Sequence, residues 1–374
     1  MSAIATSGPR EQADSARTLA LQGVAPVVMA LLCSRLIVLG ADVLLTRSAE
    51  RSPTFHDFAV WDGLWYRDIA LYGYERYRPG RTETAYPFFP LLPAILRGAT
   101  WLGLPLFATG VVLNHTLFLV GLLGLWLLVR RLHDARSATL AVWVAALLPG
   151  SQAYSMIYPE GIIFAASTWA FWLAGNTDRS VVGNPIGRTI GVGLLGAVTS
   201  LARPNGVLVP ISLALGSLLT HRGSWRRAAC YLVPGALAIG SWMLHLWSAK
   251  GDPLLWIRAK GGWEEITIVS LINSDLRPRV HDFAPIPLAA AALWWTWGRL
   301  PASWRVFASL WVALPLITGM KGWPRYMASC FPVAAAAGIV LARLPLWSRT
   351  TVLGLLGIWL AWYSYRVLGM QICP

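Results

Sequence analysis

The chain has 374 residues, 56% of them hydrophobic and only 13% charged, with 21 tryptophans and a mean hydropathy of +0.54. A soluble chain of this length carries about 25% charged residues, so the composition excludes an ordinary soluble enzyme and reads as an all-α polytopic membrane protein. The net charge of +14, from 31 Lys and Arg against 17 Asp and Glu, is spread over loops that flank apolar runs and forms no stretch dense enough to track nucleic acid; arginines so placed set topology and meet lipid headgroups.

In chain order, residues 1–17 are polar and are expected to be a cytoplasmic tail. The apolar run that follows carries Arg35 and lacks a small-residue cleavage site, so it reads as a retained first span. Runs long enough to cross a bilayer, about 20 residues each, are expected near 18–45, 106–129, 137–153, 160–175, 187–202, 205–220, 228–248, 284–298, 304–320, 326–342 and 350–367, about eleven in all. Residues 18–374 then form one integral-membrane domain. Residues 87–103 contain three prolines and Arg97 and are expected to lie in the interface without crossing. With that choice the loops 130–136, 176–188, 221–227, 298–305 and 343–349, each with two or more arginines, share the side of the N terminus. The positive-inside rule makes that side cytoplasmic. The remaining loops are external: 46–105, the YPEG turn at 158–161, the ARPNG break at 202–206, the segment 249–283 and the MKGWPR turn at 320–325.

The external residues 61–93 set Asp62, Asp68, Glu75 and Glu83 among aromatics beside the membrane, where a carboxylate is costly to desolvate and marks a functional candidate. Trp61, Trp65, Ile69 and Tyr72 follow helical spacing. Asp62 falls at the start of that helix, where it serves either as an N-cap or as a functional acid beside the positive end of the dipole. Asp68 lies about 120° around the helix and acts in the chemistry or pairs near Arg67. His56 and Asp57 are either an acid–imidazole pair or structural. Glu160, directly after Pro159, compensates a helix N terminus or orients Asp62 or an acceptor. Arg203, Arg325 and Lys321 stand at helix breaks as phosphate contacts or as interfacial anchors. Arg35 is a packing counter-ion or a further phosphate contact. Trp61, Trp65, Tyr66, Glu83 and Trp263 are candidates for substrate contact, the last within an external wall or lid at 249–283. Cys33, Cys230, Cys330 and Cys373 are scattered, and neither a disulfide framework nor a metal-ligand spacing follows from them.

The order WDGLWYRDIALYGY, a spacer ending in Glu83, then AYPFFPLLP resembles the first external loop of PIG-V-type mannosyltransferases, within the GT-C group of integral-membrane glycosyltransferases. YPEGIIF at 158–164, ARPNGVL at 202–208 and RYMASCFP at 325–332 resemble later blocks of that family in the same order. Pro159, Asn205 and Val207 depart from its pattern. The resemblance implies a GT-C fold and an inverting transfer from a polyprenyl-phosphate-linked sugar to an unknown glycan, lipid or protein acceptor outside the cytoplasm; the compact chain, without eukaryotic retrieval signals, is expected in a bacterial plasma membrane. Such a transfer needs one ionised carboxylate as general base, because an attacking hydroxyl must lose its proton. The leaving phosphate is already a stable anion and needs no strong acid. No cofactor is required, and a divalent metal is open but without a supporting ligand pattern. The rival reading is a lipid or glycolipid transporter, which would show two similar halves; the acid-rich loop occurs once. A structural subunit of a glycosylation complex is a third reading.

Overall fold

The computed structural model describes residues 9–75, 83–175, 185–220, 224–262, 285–318 and 322–373. The described residues are helical and contain no strand. The helices are α1 (Pro9–Ser48), α2 (Asp62–Tyr72), α3 (Leu91–Trp101), α4 (Leu106–Leu132), α5 (Ala135–Leu147), α6 (Glu160–Gly175), α7 (Pro185–Ala202), α8 (Leu208–Thr220) and α9 (Trp225–Lys250). They continue as α10 (Pro285–Thr296), α11 (Ala302–Thr318), α12 (Trp323–Ser329), α13 (Phe331–Leu341) and α14 (Leu346–Leu368).

Among the described residues four helical stretches are long and apolar enough to cross a membrane: Gln22–Ser48 within α1, α4, α9 and α14. Two of the expected spans depart from simple helices. The run 137–153 ends as a helix at Leu147, because Pro149 and Gly150 follow, and residues Pro149–Ser155 close as a 3-10 turn. The run 326–342 is two helices, α12 and α13, bent by 72° at Cys330, with Pro332 opening the second. Helix α3 has 11 residues, about 16 Å at 1.5 Å per residue, too short to cross.

Helix length decides where the irregular segments sit. Helices α5, α6 and α8 have 13, 16 and 13 residues, against 27 in α4 and 26 in α9. At one end they are level, since Arg131 near the end of α4 donates to the Gly175 carbonyl at the end of α6. At the other end the short helices stop inside the bundle. Asn114, eight residues or about 12 Å below the top of α4, donates to the carbonyls of Ala153 and Met156 at 3.0 and 2.7 Å, and accepts from the Gly161 amide at 2.8 Å. Arg35, midway along the apolar part of α1, donates to the Ser151 carbonyl at 2.8 Å and to the Ser151 and Ser155 hydroxyls. Non-helical backbone at membrane depth is tolerated only when its polar groups are satisfied in this way. The outcome is that these irregular turns lie below the top of α4, tied to the long helices by side-chain bonds.

Candidate active site

Helix α2 starts where the chain turns sharply. Trp61 has φ of 53°, a conformation that costs a bulky residue, and its indole N–H donates to the Val367 carbonyl of α14 at 3.0 Å. The anchored turn delivers Asp62 as the first residue of α2, where the helix dipole favours a carboxylate. Strain of this kind persists when the surroundings enforce it and clusters at functional positions. The Asp62 amide donates to the Tyr158 hydroxyl at 3.1 Å, tying α2 to the turn before α6. The far end of α2 is fixed by Arg97 of α3, which donates to the carbonyls of Ala70 and Ile69.

Three breaks in the bundle meet Asp62. Arg325, in the first turn of α12, donates from one terminal nitrogen to Asp62 Oδ2 at 2.7 Å, and its Nε lies 3.3 Å from Glu160 Oε1. Arg203, between α7 and the 3-10 turn Pro204–Val207, donates to the same oxygen of Glu160 and to the Tyr326 hydroxyl. The Arg325 guanidinium stands 5.0 Å from the Tyr158 ring centre and Arg203 stands 5.0 Å from that of Tyr326, distances of cation–π contact. Two carboxylates and two guanidiniums thus form one neutral group, with Glu160 bridging both arginines. Without it, two buried like charges would repel across a medium of low dielectric.

Exposure within the group is graded. The Glu160 side chain is 2% exposed, Arg325 7%, Arg203 13% and Asp62 25%. Asp62 is the acid at the mouth, and Glu160 is sealed behind the arginines. Glu160 Oε2 has no hydrogen-bond partner among the described residues. A close backbone approach sustains the arrangement: a Cβ at Gly150 would fall onto the Pro324 carbonyl, immediately before Arg325.

The other candidates are placed elsewhere. Asp68 pairs with neighbouring Arg67 at 2.7 Å. Trp65 stacks on Phe88 and Tyr66 meets the same ring edge-on. Tyr66 lies within electrostatic reach of Arg203, Glu160, Asp62 and Arg325. Glu83 is half-buried. Arg35 is engaged behind the 3-10 turn and is not a member of the four-residue group. His56 and Asp57 do not pair: His56 stacks on Phe107, and Asp57 meets Arg51 at 2.5 Å. Lys321 and Trp263 lie outside the described residues, as does most of 249–283. Among the described residues His, Cys, Asp and Glu do not gather in threes. Sequence reading gave no role to Tyr158, Tyr326 or Asn114. Asn114 lies in an apolar run, where an amide looks like packing; Tyr158 opens YPEG and Tyr326 follows Arg325 within the blocks already singled out, which is the signal that could have marked the two tyrosines.

No protein-family model matches the chain, and no characterised protein sequence matches it. Its fold does match solved structures. ArnT from Cupriavidus metallidurans aligns with a TM-score of 0.55 at 15% identity, over 87% of this chain and 62% of that one. The Archaeoglobus fulgidus oligosaccharyltransferase aligns with a TM-score of 0.50 at 14% identity, over 93% of this chain and 53% of that one. AglB from the same organism, in complex with an inhibitory peptide and a dolichol-phosphate, gives 0.52 at 12% identity, over 92% and 55%. The chain therefore spans between half and two thirds of the length of these structures. It has the all-helical GT-C glycosyltransferase fold, as its resemblance in sequence implied.

Proposed function

We propose that the protein is an inverting glycosyltransferase, moving mannose from a polyprenyl-phosphate-linked donor to an acceptor hydroxyl on the outer face of a bacterial plasma membrane. The observation that carries this reading is the neutral Asp62–Arg325–Glu160–Arg203 group, in which one carboxylate is partly exposed and the other is sealed. Structures of the same fold were solved with undecaprenyl phosphate bound and in complex with a dolichol-phosphate, which supports a donor of that class. The order of the sequence blocks supports mannose.

In this mechanism Arg325 holds Oδ2 of Asp62 and leaves Oδ1 for the acceptor. The acceptor oxygen bonds to the anomeric carbon as the bond from that carbon to the phosphate oxygen breaks. The hydroxyl proton passes to Asp62, and the polyprenyl phosphate leaves as an anion. A carboxylate paired with a guanidinium is a weak base. It suffices, because the hydroxyl becomes acidic as its oxygen bonds to carbon, so the proton moves late. Proton transfer to Asp62 leaves the group with a net positive charge, which Arg325 and Arg203 present to the departing phosphate, and pre-oriented donors in a dry site count for more than in water. On this assignment no divalent metal is needed, and chelator-treated protein is expected to keep its rate; loss restored by added Mg²⁺ or Mn²⁺ would count against it.

The test is turnover of radiolabelled polyprenyl-phosphate sugars by purified protein in nanodiscs with membrane extract as acceptor. Consumption of the mannosyl donor is expected. Consumption of another sugar instead would keep the enzyme and correct the substrate, and failure with every donor would leave the transporter reading.

A further inference from the structure

A second site lies at the opposite end of the bundle. A cavity of about 340 Å³ opens between the last turns of α4, α6 and α8 and the first turns of α9 and α11. Its rim carries Arg131 and Arg227 with the hydroxyl residues Ser217 and Thr220, and its depth is apolar, with Phe171 and Trp304 among the walls. None of its lining residues is acidic. Arg131 is positioned by its bond to the Gly175 carbonyl, and Arg227 has no acidic partner among the described residues. The helix ends that converge here are C termini, whose carbonyls favour cations. Several are already satisfied: Thr220 donates to the Gly216 carbonyl and Ser224 to that of Ser217.

We propose that this cavity binds the phosphate headgroup of an anionic phospholipid from the leaflet opposite the Asp62 site. Basic pockets between helices at a membrane surface take such headgroups. The volume is at the lower end of small-molecule sites, enough for a glycerophosphate and its first methylenes. The chemistry changes with depth as a lipid's does: cations and hydroxyls lie at the rim, hydrocarbon walls beneath. Inorganic phosphate would engage the rim and leave the apolar walls uncovered.

The test uses the full-length protein in mild detergent, titrated with phosphatidylglycerol, with phosphatidylcholine and with inorganic phosphate. Thermal midpoint and lipid retained in native mass spectrometry are the readouts, and neither depends on transfer activity. Phosphatidylglycerol is expected to raise the midpoint and remain bound, and phosphatidylcholine is not. Arg227→Ala should weaken the effect roughly tenfold, the scale of one charge-assisted contact, with Arg227→Lys recovering part of it. Ala174→Phe, which fills the cavity, should abolish it; if that variant misfolds, Arg227→Ala decides alone. Equal stabilisation by both lipids, or phosphatidylglycerol binding unchanged in Arg227→Ala, overturns the site. An equal effect of inorganic phosphate with the same Arg227 dependence overturns the lipid assignment.

Discussion

Both carboxylates of the group depend on Arg325, so its removal has two separable consequences. Arg325→Ala leaves Glu160 and Asp62 short of a counter-charge, and breaking a buried pair costs about 3–5 kcal/mol of stability. It also removes a donor from the phosphate, and each charge-assisted bond is worth about 1.5–3 kcal/mol. Arg325→Ala is therefore expected to lower the thermal midpoint and raise the donor KM, whereas Arg325→Lys recovers part of both. Arg203→Ala should raise KM in the same way, checked by donor titration of initial rates. If both alanine variants bind donor as wild type does, the arginines are anchors. These four residues were legible in the sequence because each is a charge at a Gly or Pro break beside an apolar run. Their pairing was not: Glu160 and Arg203 are 43 positions apart, Asp62 and Arg325 263 apart, and spacing along a chain says nothing of contacts at that range. Arg35, inside the first span, reads in sequence as a packing residue or a further phosphate contact, and its bonds go to Ser151 and Ser155.

Turns and short helices are the elements that place the site. Gly150 permits the 3-10 turn to lie against α12, so Gly150→Ala should displace Arg325 and cost donor binding. Gly40→Ala, in α1 with open space around its Cβ, is the control and should be neutral or stabilising by about 0.5–1 kcal/mol. Equal donor affinities in the two variants would show that the close approach is unimportant. A second element-level device ties α9 to the segments that follow α2: Lys250 at the end of α9 meets Glu75 at 2.6 Å, and Tyr86 donates to the same carboxylate at 2.8 Å. These bonds, that from Lys250 first, hold the Glu75 carboxyl below the ordinary glutamate range. A depressed carboxyl contributes stability above its unfolded value and loses it as pH falls through the folded one. The latch is thus complete at neutral pH and lost on acidification, and it weakens with salt because the pair is solvated. Glu75→Gln should remove the acid limb from hydrogen exchange of residues 83–89 while leaving exchange in α4 unchanged. The expected boundaries failed where proline intervened: Pro149 and Pro332 each break an apolar run whose hydropathy alone reads as one span.

At the scale of the molecule, aromatic residues mark two levels. Trp225 and Trp247 are both exposed at opposite ends of α9, 22 residues or about 33 Å apart, which matches a hydrocarbon core of about 30 Å with its interfaces. Exposed Trp294, Trp295 and Trp347 belong to the Trp225 end, and the Asp62 group opens towards the other. Composition and periodicity made the helical membrane class legible, but the sunken turns were not, because they arise from differences in helix length that hydropathy does not resolve. The orientation is tested by single cysteines at Arg51 and Arg136 in a background lacking the native four: an impermeant reagent applied to intact cells should label the first and spare the second. Labelling of both from one side would undo the arrangement. The claim on which the account rests is that Asp62 takes the acceptor proton, and its most direct measurement is the initial rate of sugar transfer by Asp62→Asn, with thermal midpoint and donor binding recorded on the same preparation. The account predicts a fall of about 10²–10⁴-fold with donor binding retained and a smaller drop in midpoint than in Arg325→Ala, since the amide still accepts from Arg325 and Asp62 is partly exposed; a rate near wild type in Asp62→Asn, alongside abolition in Glu160→Gln or Asp68→Asn, would contradict it.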